Sequence, residues 1–244
     1  MKKNYTREDY KDKSIWLNHR GFGGSSASAI LNKNPYMSKL ELYKSCISAN
    51  KSKKKDSSNE ATIYGTKCEP LIRKMFALDY PQYKVHSPKE YEMYRRIDKP
   101  YLTATLDGIL TDKITKEKGI LEIKTHDIRN REDDENWKVK LPDNYYIQVL
   151  HYLLVMNDFK FVILCAKLRY FDYHNKNGKK LLRQEIRYYY IDRKEVEKDL
   201  EYLEQKETEF YEENIVKRII PKVEIEFKKE KINELHLQRR KETI

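Results

Sequence analysis

Apolar and polar positions follow two patterns along the chain, one typical of helices and one typical of strands. Helical spacing predicts helices that cover residues 27–34, 40–48, 64–80, 143–157 and 192–214. Runs rich in β-branched and aromatic residues predict strands that cover residues 83–87, 91–96, 101–110, 119–125, 160–173 and 181–191. Residues 49–60 and 128–140 are charged, and we interpret them as a loop and a polar connector.

Two of the predicted helices have features that can be checked directly against a structure. Ser25 and Ser26 are good N-cap types and are predicted to cap the first helix. In the third helix, Leu71, Met75 and Leu78 recur at helical spacing and form the predicted apolar stripe.

The elements come in the order helices, strands, helix, two strands and a final helix. This order predicts an α/β fold in which helices flank a central mixed β-sheet on both sides. We interpret residues 1–214 as a single domain and residues 215–244 as a basic amphipathic C-terminal tail.

The charge balance indicates a polyanionic partner. Lys and Arg number 50 against 39 Asp and Glu, which gives a net charge of +11, and nucleic acid is the simplest partner. The alternative is that a Lys-rich sequence merely reflects biased codon usage. Three scattered cysteines without a CxxC pair indicate a reducing cytoplasm, with neither disulfides nor a zinc ribbon. No apolar run suits a secretion signal or a membrane span, so no membrane partner is expected.

The stretch TLDGILTDKITKEKGILEIKT, residues 105–125, carries the clearest candidate chemistry. Asp107 ends one apolar run, and Glu122 and Lys124 lie two apart in the next, so the latter two share one face of a strand. Carboxylates suit a hard cation such as Mg²⁺, and a neighbouring lysine can orient or deprotonate a water. The alternative is a surface salt bridge on an amphipathic strand.

Four motifs occur in one order. They are RGFGGSSASAILNKNPY at residues 20–36, the spacing Gly65–Glu69, LDGIL with LEIKT, and the spacing Gln148–Tyr152. Over roughly residues 15–155 they resemble the YqaJ-like viral recombinase family, relatives of phage lambda exonuclease within the PD-(D/E)xK nuclease superfamily. The resemblance implies a restriction-endonuclease-like core and makes residues 1–214 one nuclease domain.

The resemblance also implies roles for individual residues. Asp107 and Glu122 resemble the metal ligands, with the Ile123 carbonyl as a third, and Lys124 resembles the catalytic lysine. Glu69 resembles the helix carboxylate that reaches a second metal. The implied cofactor is Mg²⁺, for which Mn²⁺ would substitute.

Gln148 resembles the residue that helps to hold the active site and its substrate. Tyr152 is as well explained by core packing as by a contact with DNA.

A phosphate-binding corner is the second implied site. Arg20, Ser25 and Ser26 resemble the family's pocket for a 5′-phosphate, although the family often has Asp where this chain has Ser26. Further candidates for phosphate contact are Thr105, Arg129 and Arg131. Several aromatic residues are candidates for stacking on bases, with sheet packing as the alternative for the last three: Trp137, Tyr145, Tyr146 and Tyr188–Tyr190.

The implied function is that of a magnesium-dependent 5′-to-3′ exodeoxyribonuclease on linear double-stranded DNA, acting by two-metal phosphodiester hydrolysis. Its single-stranded product would pass to a single-strand annealing protein for phage-type recombination. Lambda-type members form homotrimeric rings, and a phage or prophage gene would place the protein in the bacterial cytoplasm. The alternatives are a structure-specific endonuclease on the same core and a non-catalytic DNA-binding protein with a nuclease-like fold.

Overall fold

A computed structural model describes residues 2–48, 60–172 and 180–222 of the 244-residue chain. The strands are β1 (Tyr5–Asp9), β2 (Tyr83–His86), β3 (Glu92–Arg96), β4 (Thr103–Ala104), β5 (Gly108–Asp112), β6 (Lys118–Ile128), β7 (Phe161–Asp172) and β8 (Lys180–Asp192). The helices are α1 (Lys13–His19), α2 (Gly24–Ile30), α3 (Lys39–Ile47), α4 (Glu60–Asp79), α5 (Arg131–Val139), α6 (Asp143–Val155) and α7 (Glu197–Glu209). Most of the predicted loop at 49–60 and the predicted tail beyond residue 222 lie outside the described residues.

Two sheets organise the described residues. The larger has five strands in the order β2-β5-β6-β7-β8, and the smaller has three in the order β1-β3-β4. In the larger sheet β6 and β7 run parallel and the other neighbours run antiparallel. Helix α4 packs against β6, and helix α6 packs against β7. The prediction of a central mixed β-sheet flanked by helices is therefore confirmed.

The predicted continuous strand over residues 101–110 is wrong. Strand β4 pairs with β3 in the smaller sheet, whereas β5 pairs with β2 and β6 in the larger one. The chain therefore changes sheets across residues 105–107. Leu106 packs in the apolar cluster around α6, and Leu110 packs in a second cluster beneath α4. One unbroken strand could not place Leu106 in the first cluster and Leu110 in the second.

Helix α4 buries a different face from the one predicted. Leu71, Met75 and Leu78 are 60%, 47% and 79% exposed, so the predicted stripe is wrong, and the buried residues are Cys68, Ile72 and Phe76. The orientation follows from a close approach between α4 and β6. A Cβ added at Gly65 would lie 3.1 Å from Thr125 Oγ1, so this side of the helix meets the sheet. Both sets of residues have helical spacing, so the sequence does not show which set is buried. The contact between the helix and the sheet determines it.

The predicted connector at residues 128–140 is also wrong, because it contains α5. Asn130 caps the helix by accepting a hydrogen bond from Asp133 N at 2.8 Å, and the first turn is acidic. Both features stabilise a helix N-terminus. Trp137 is the buried residue that attaches α5 to the core. A helix with a single apolar anchor leaves little periodicity to detect in the sequence.

The C-terminal helix was predicted from residue 192 to about 214. A 3-10 turn at Arg193–Val196 leads into α7, and a π-helical segment at Phe210–Val216 follows. None of the helices in the described ranges is long and apolar enough to cross a membrane.

Candidate active site

Asp107 lies at the break between the two sheets. Its Oδ2 accepts a hydrogen bond from the backbone N of Ile123 at 2.8 Å. The next residue, Gly108, pairs with Leu121 at the end of the β5–β6 ladder. The carboxylate is thus fixed beside the segment of β6 that carries the second motif.

Glu122 and Lys124 share the face of β6 that meets α6. Lys124 Nζ contacts Glu122 Oε1 at 2.6 Å, and Gln148 Nε2 donates to the same oxygen at 2.6 Å. Gln148 Nε2 also donates to the Tyr152 hydroxyl at 2.9 Å. The Ile123 side chain is buried on the opposite face, beneath α4. The helix motif and the strand motif are therefore in direct contact.

The second carboxyl oxygen of Glu122 has no such partner. Glu122 is 1% exposed, and its Oε2 makes no hydrogen bond within the described part of the chain. A buried carboxylate oxygen without a partner carries a large desolvation cost. An oxygen in this state is suited to binding a cation.

Helix α4 brings Glu69 to the site together with an unpredicted residue, Arg73. Arg73 Nη2 contacts Glu69, Nε donates to the Asp107 carbonyl at 2.6 Å, and Nη1 donates to Ser87 Oγ at 2.8 Å. The sequence signal for Arg73 is its position four residues after Glu69, which places both on one helix face. Its contacts with Ser87 and Asp107 arise only through the tertiary fold.

The carboxylates of the site repel one another in a buried setting. Burial and the nearby Asp107 carboxylate raise the pKa of Glu122 to about 8. Burial also raises the pKa of Asp107, and burial together with Asp107 raises the pKa of Glu69. Burial opposes the charge of Lys124, but Glu122 and Asp107 outweigh it and raise the pKa of this amine. The cluster thus combines three acidic side chains, whose pKa values are raised, with the two basic side chains Lys124 and Arg73.

The residues fit a divalent cation of the magnesium type. Among the described residues, no group of three or more His, Cys, Asp or Glu side chains is arranged to hold a metal ion by itself. Mg²⁺ does not require such a group, because it keeps several waters and takes one or two carboxylates along with substrate oxygens. Glu122 Oε2 and the Asp107 carboxylate would hold it, with the Ile123 carbonyl and Glu69 as the further predicted ligands.

The residues of the predicted phosphate corner lie beside this cluster, although the capping of α2 differs from the prediction. Gly23 is the N-cap of α2, so the predicted N-cap position of Ser25 and Ser26 is wrong, although Ser26 Oγ accepts a hydrogen bond from Gly23 N at 3.4 Å. The first residue of this helix, Gly24, packs closely on Gln148. A Cβ added at Gly24 would lie 2.3 Å from Gln148 Cγ.

Arg20 completes this corner. Its guanidinium lies 4.6 Å from the Trp16 ring, and burial lowers the pKa of Arg20. Arg20, Ser25 and Ser26 line one cleft, together with residues of α3. Gly24 at the start of α2 packs on Gln148, which donates to Glu122, so the corner adjoins the carboxylate cluster.

The remaining predicted residues lie at the edges of the site. Thr105 is half-buried at the sheet break, and Arg129 and Arg131 are exposed where β6 ends and α5 begins. Trp137 is buried, so its ring is not available to stack on a base, and Tyr146 donates to Asp199 at 2.5 Å.

Comparisons with known proteins agree with the motif order. The sequence pattern of the YqaJ-like viral recombinase domain matches residues 15–158, which is more than half of the chain. The uncharacterised protein YqaJ of Bacillus subtilis strain 168 is 32% identical over 146 residues, or 58% of this chain, and the match spans only 41% of that relative's length.

Two crystal structures of LHK-Exo, an alkaline exonuclease from Laribacter hongkongensis, are also similar. One of them, in complex with dAMP, is 16% identical, with a TM-score of 0.47 over 84% of this chain and 96% of its own. The other is 17% identical, with a TM-score of 0.48 over 85% of this chain and 100% of its own. The domain match alone covers enough of the sequence to conclude that this chain belongs to the YqaJ-like viral recombinase family.

Proposed function

We propose that this protein is a magnesium-dependent exodeoxyribonuclease that digests one strand of linear double-stranded DNA from its 5′ end. The observation that carries the proposal is the meeting of Asp107, Glu122 and Lys124 at the sheet break. There Glu122 Oε2 is buried and has no hydrogen-bond partner among the described residues. Membership of a viral recombinase family and the net charge of +11 support DNA as the substrate.

Each residue of the cluster has a distinct role in this proposal. A bound divalent cation would supply the Lewis acidity that activates water and neutralises phosphate charge. Gln148 and Lys124 both contact Glu122 Oε1, which leaves Oε2 for the cation. Because its carboxylate neighbours raise the pKa of Lys124, this side chain stays an ammonium. Lys124 would orient the water and stabilise charge on the phosphate.

The corner of Arg20, Ser25 and Ser26 would bind the terminal 5′-phosphate. A guanidinium and two hydroxyls are strong donors to phosphate oxygens, and the cleft adjoins the carboxylate cluster through Gly24 and Gln148. A 5′-terminal phosphate held there would set the direction of digestion. The single-stranded product would then pass to an annealing protein, and a homotrimeric ring would keep the enzyme on its substrate.

The test is digestion of linear duplexes labelled at either 5′ or 3′ end, with and without a 5′-phosphate, in Mg²⁺, Mn²⁺ or EDTA. We expect loss of the 5′ label first, a requirement for the metal and faster digestion of the phosphorylated end. Glu122→Gln and Lys124→Gln should each lower the rate by about 100-fold or more. Glu117→Gln, an exposed change on the same hairpin, is the matched control.

Three results would contradict parts of the proposal. Equal loss of both labels would exclude the 5′-to-3′ direction. Nicking of a covalently closed circle would identify a structure-specific endonuclease instead. Unchanged cleavage by both site variants would show that the reaction occurs elsewhere.

A further inference from the structure

Tyr36 is the most exposed aromatic side chain in the part of the chain that the structure describes. It lies between α2 and α3 and is 79% exposed. A ring this open to water contributes little to the core, so folding alone does not explain it. Tyrosine is a residue type that binding surfaces favour, because its large rigid ring loses little entropy on contact.

The backbone that carries Tyr36 is firmly held. Asn34 Oδ1 accepts hydrogen bonds from the backbone N of Tyr36 at 2.8 Å and of Met37 at 3.1 Å. Asn34 Nδ2 donates to the Ser25 carbonyl of α2 at 2.8 Å. The segment is thus tied to the phosphate corner. Because this backbone is already fixed, binding at the ring would not have to order the segment that carries it.

Tyr36 lies near both parts of the candidate site. On one side Tyr36 lines a groove with Tyr145, whose ring centroid lies 5.4 Å from Lys124 Nζ. On the other side the adjacent Met37 lines the cleft that contains Arg20. The groove that Tyr36 lines and the cleft that Met37 lines are therefore neighbours.

The chemistry of the groove suits a nucleobase. Asn136 and Asn144 line it and offer amide donors and acceptors to a base edge. Lys33 and Lys140 also line it, but both contact Asp143. Their positive charge is therefore partly balanced, and the groove is not suited to phosphate alone. A base within a duplex has no free face for an aromatic ring, whereas an unpaired base does.

We propose that Tyr36 is a stacking platform for the base of an unpaired nucleotide at the DNA end. This inference rests on the proposed nuclease function and adds a subsite for a separated terminal base. It also replaces Trp137, which is buried, as the aromatic contact expected from the sequence.

The experiment uses the full chain and a 5′-phosphorylated DNA whose unpaired 5′-terminal base is 2-aminopurine. Binding is measured in EDTA by anisotropy of a distant dye, and stacking is measured by quenching of 2-aminopurine fluorescence. Tyr36→Ala should weaken binding about tenfold and abolish the quenching. Loss of one base–aromatic stack typically lowers affinity by about this factor. Tyr36→Phe should retain both signals. Tyr202→Ala, which removes a ring 54% exposed on α7, is the matched control and should change neither.

Two outcomes would overturn the platform. One is a Tyr36→Ala variant that binds and quenches like the wild type. The other is a variant whose binding defect disappears at high protein concentration and whose mass by light scattering has fallen, because Tyr36 would then contact a second copy of the chain. Failure of the wild type to digest any DNA in Mg²⁺ would instead overturn the proposed function, and the metal-free binding signals would still decide the platform.

Discussion

Lys124 and Arg73 both contact carboxylates of the candidate site, but their chemistry differs. Lys124 is a compact charge that touches Glu122 at 2.6 Å. Arg73 has a planar group that reaches Glu69, the Asp107 carbonyl and Ser87 at once. A planar guanidinium with several N–H donors holds its partners in fixed positions and also balances their charge. Arg73 therefore acts as a positioning residue for Glu69 and for the backbone turn at Asp107.

This assignment predicts a defect in turnover rather than in DNA binding. Replacement of Arg73 by Gln should lower the maximal cleavage rate by about 10- to 100-fold, since small displacements of ligands are costly in rate. DNA affinity in EDTA should stay within about twofold, because Arg73 is committed to protein groups. Lys74→Gln, an exposed change on the same helix, is the control. An equal loss of rate and affinity would indicate that Arg73 contacts DNA.

At the scale of elements, local patterns anticipated the β5–β6 hairpin, α6 and the mixed sheet. They did not anticipate which face of α4 is buried or where the strand before Asp107 breaks. Both failures concern non-local contacts, such as Gly65 against Thr125. The site was predictable for a related reason. Asp107, Glu122 and Lys124 are close in sequence, whereas Arg73 meets Ser87 only through folding.

A buried ion pair joins helices α6 and α7 to β4, close to the sheet break. His151 Nδ1 contacts Glu207 Oε1 at 2.6 Å, and Nε2 donates to the Thr103 carbonyl at 2.9 Å. Both nitrogens therefore face acceptors, which favours the doubly protonated ring. Burial opposes this charge, but Glu207 outweighs it and raises the pKa of His151 above 6.5.

The raised pKa gives a pH dependence with a definite sign. The stabilisation is fully present below the unfolded pKa of about 6.5 and is lost as the pH rises through the higher folded pKa. Urea unfolding should therefore show a free energy that falls with pH above that point. His151→Gln should reduce this slope without abolishing it, because the raised pKa of Glu122 contributes a fall of the same sign, and it should cost about 3 kcal/mol at pH 6. His86→Gln, at an exposed position, should keep the slope. A wild-type free energy that is flat or rising with pH across that range would contradict the charged pair.

At the scale of the whole molecule, the net charge of +11 adds a component of binding that no single site supplies. The Lys and Arg residues that carry this charge are spread along the chain. Many of the described ones already pair with acidic residues, including Arg96 with Asp98 and Arg169 with Asp127. Attraction to DNA should then depend mainly on released counterions and little on sequence. The phosphate corner, by contrast, should distinguish one DNA end from another.

These two components can be separated by salt. Binding of duplex DNA in EDTA should weaken by about a thousandfold between about 50 and 200 mM salt if about six phosphates are neutralised. A 5′-phosphate should raise the affinity at every salt concentration, and Arg20→Gln should remove that difference while leaving most of the salt slope unchanged. Anisotropy titrations of matched phosphorylated and unphosphorylated ends provide the measurement. A salt slope near zero would contradict the charge argument, and a phosphate preference that survives Arg20→Gln would place the end-binding corner elsewhere.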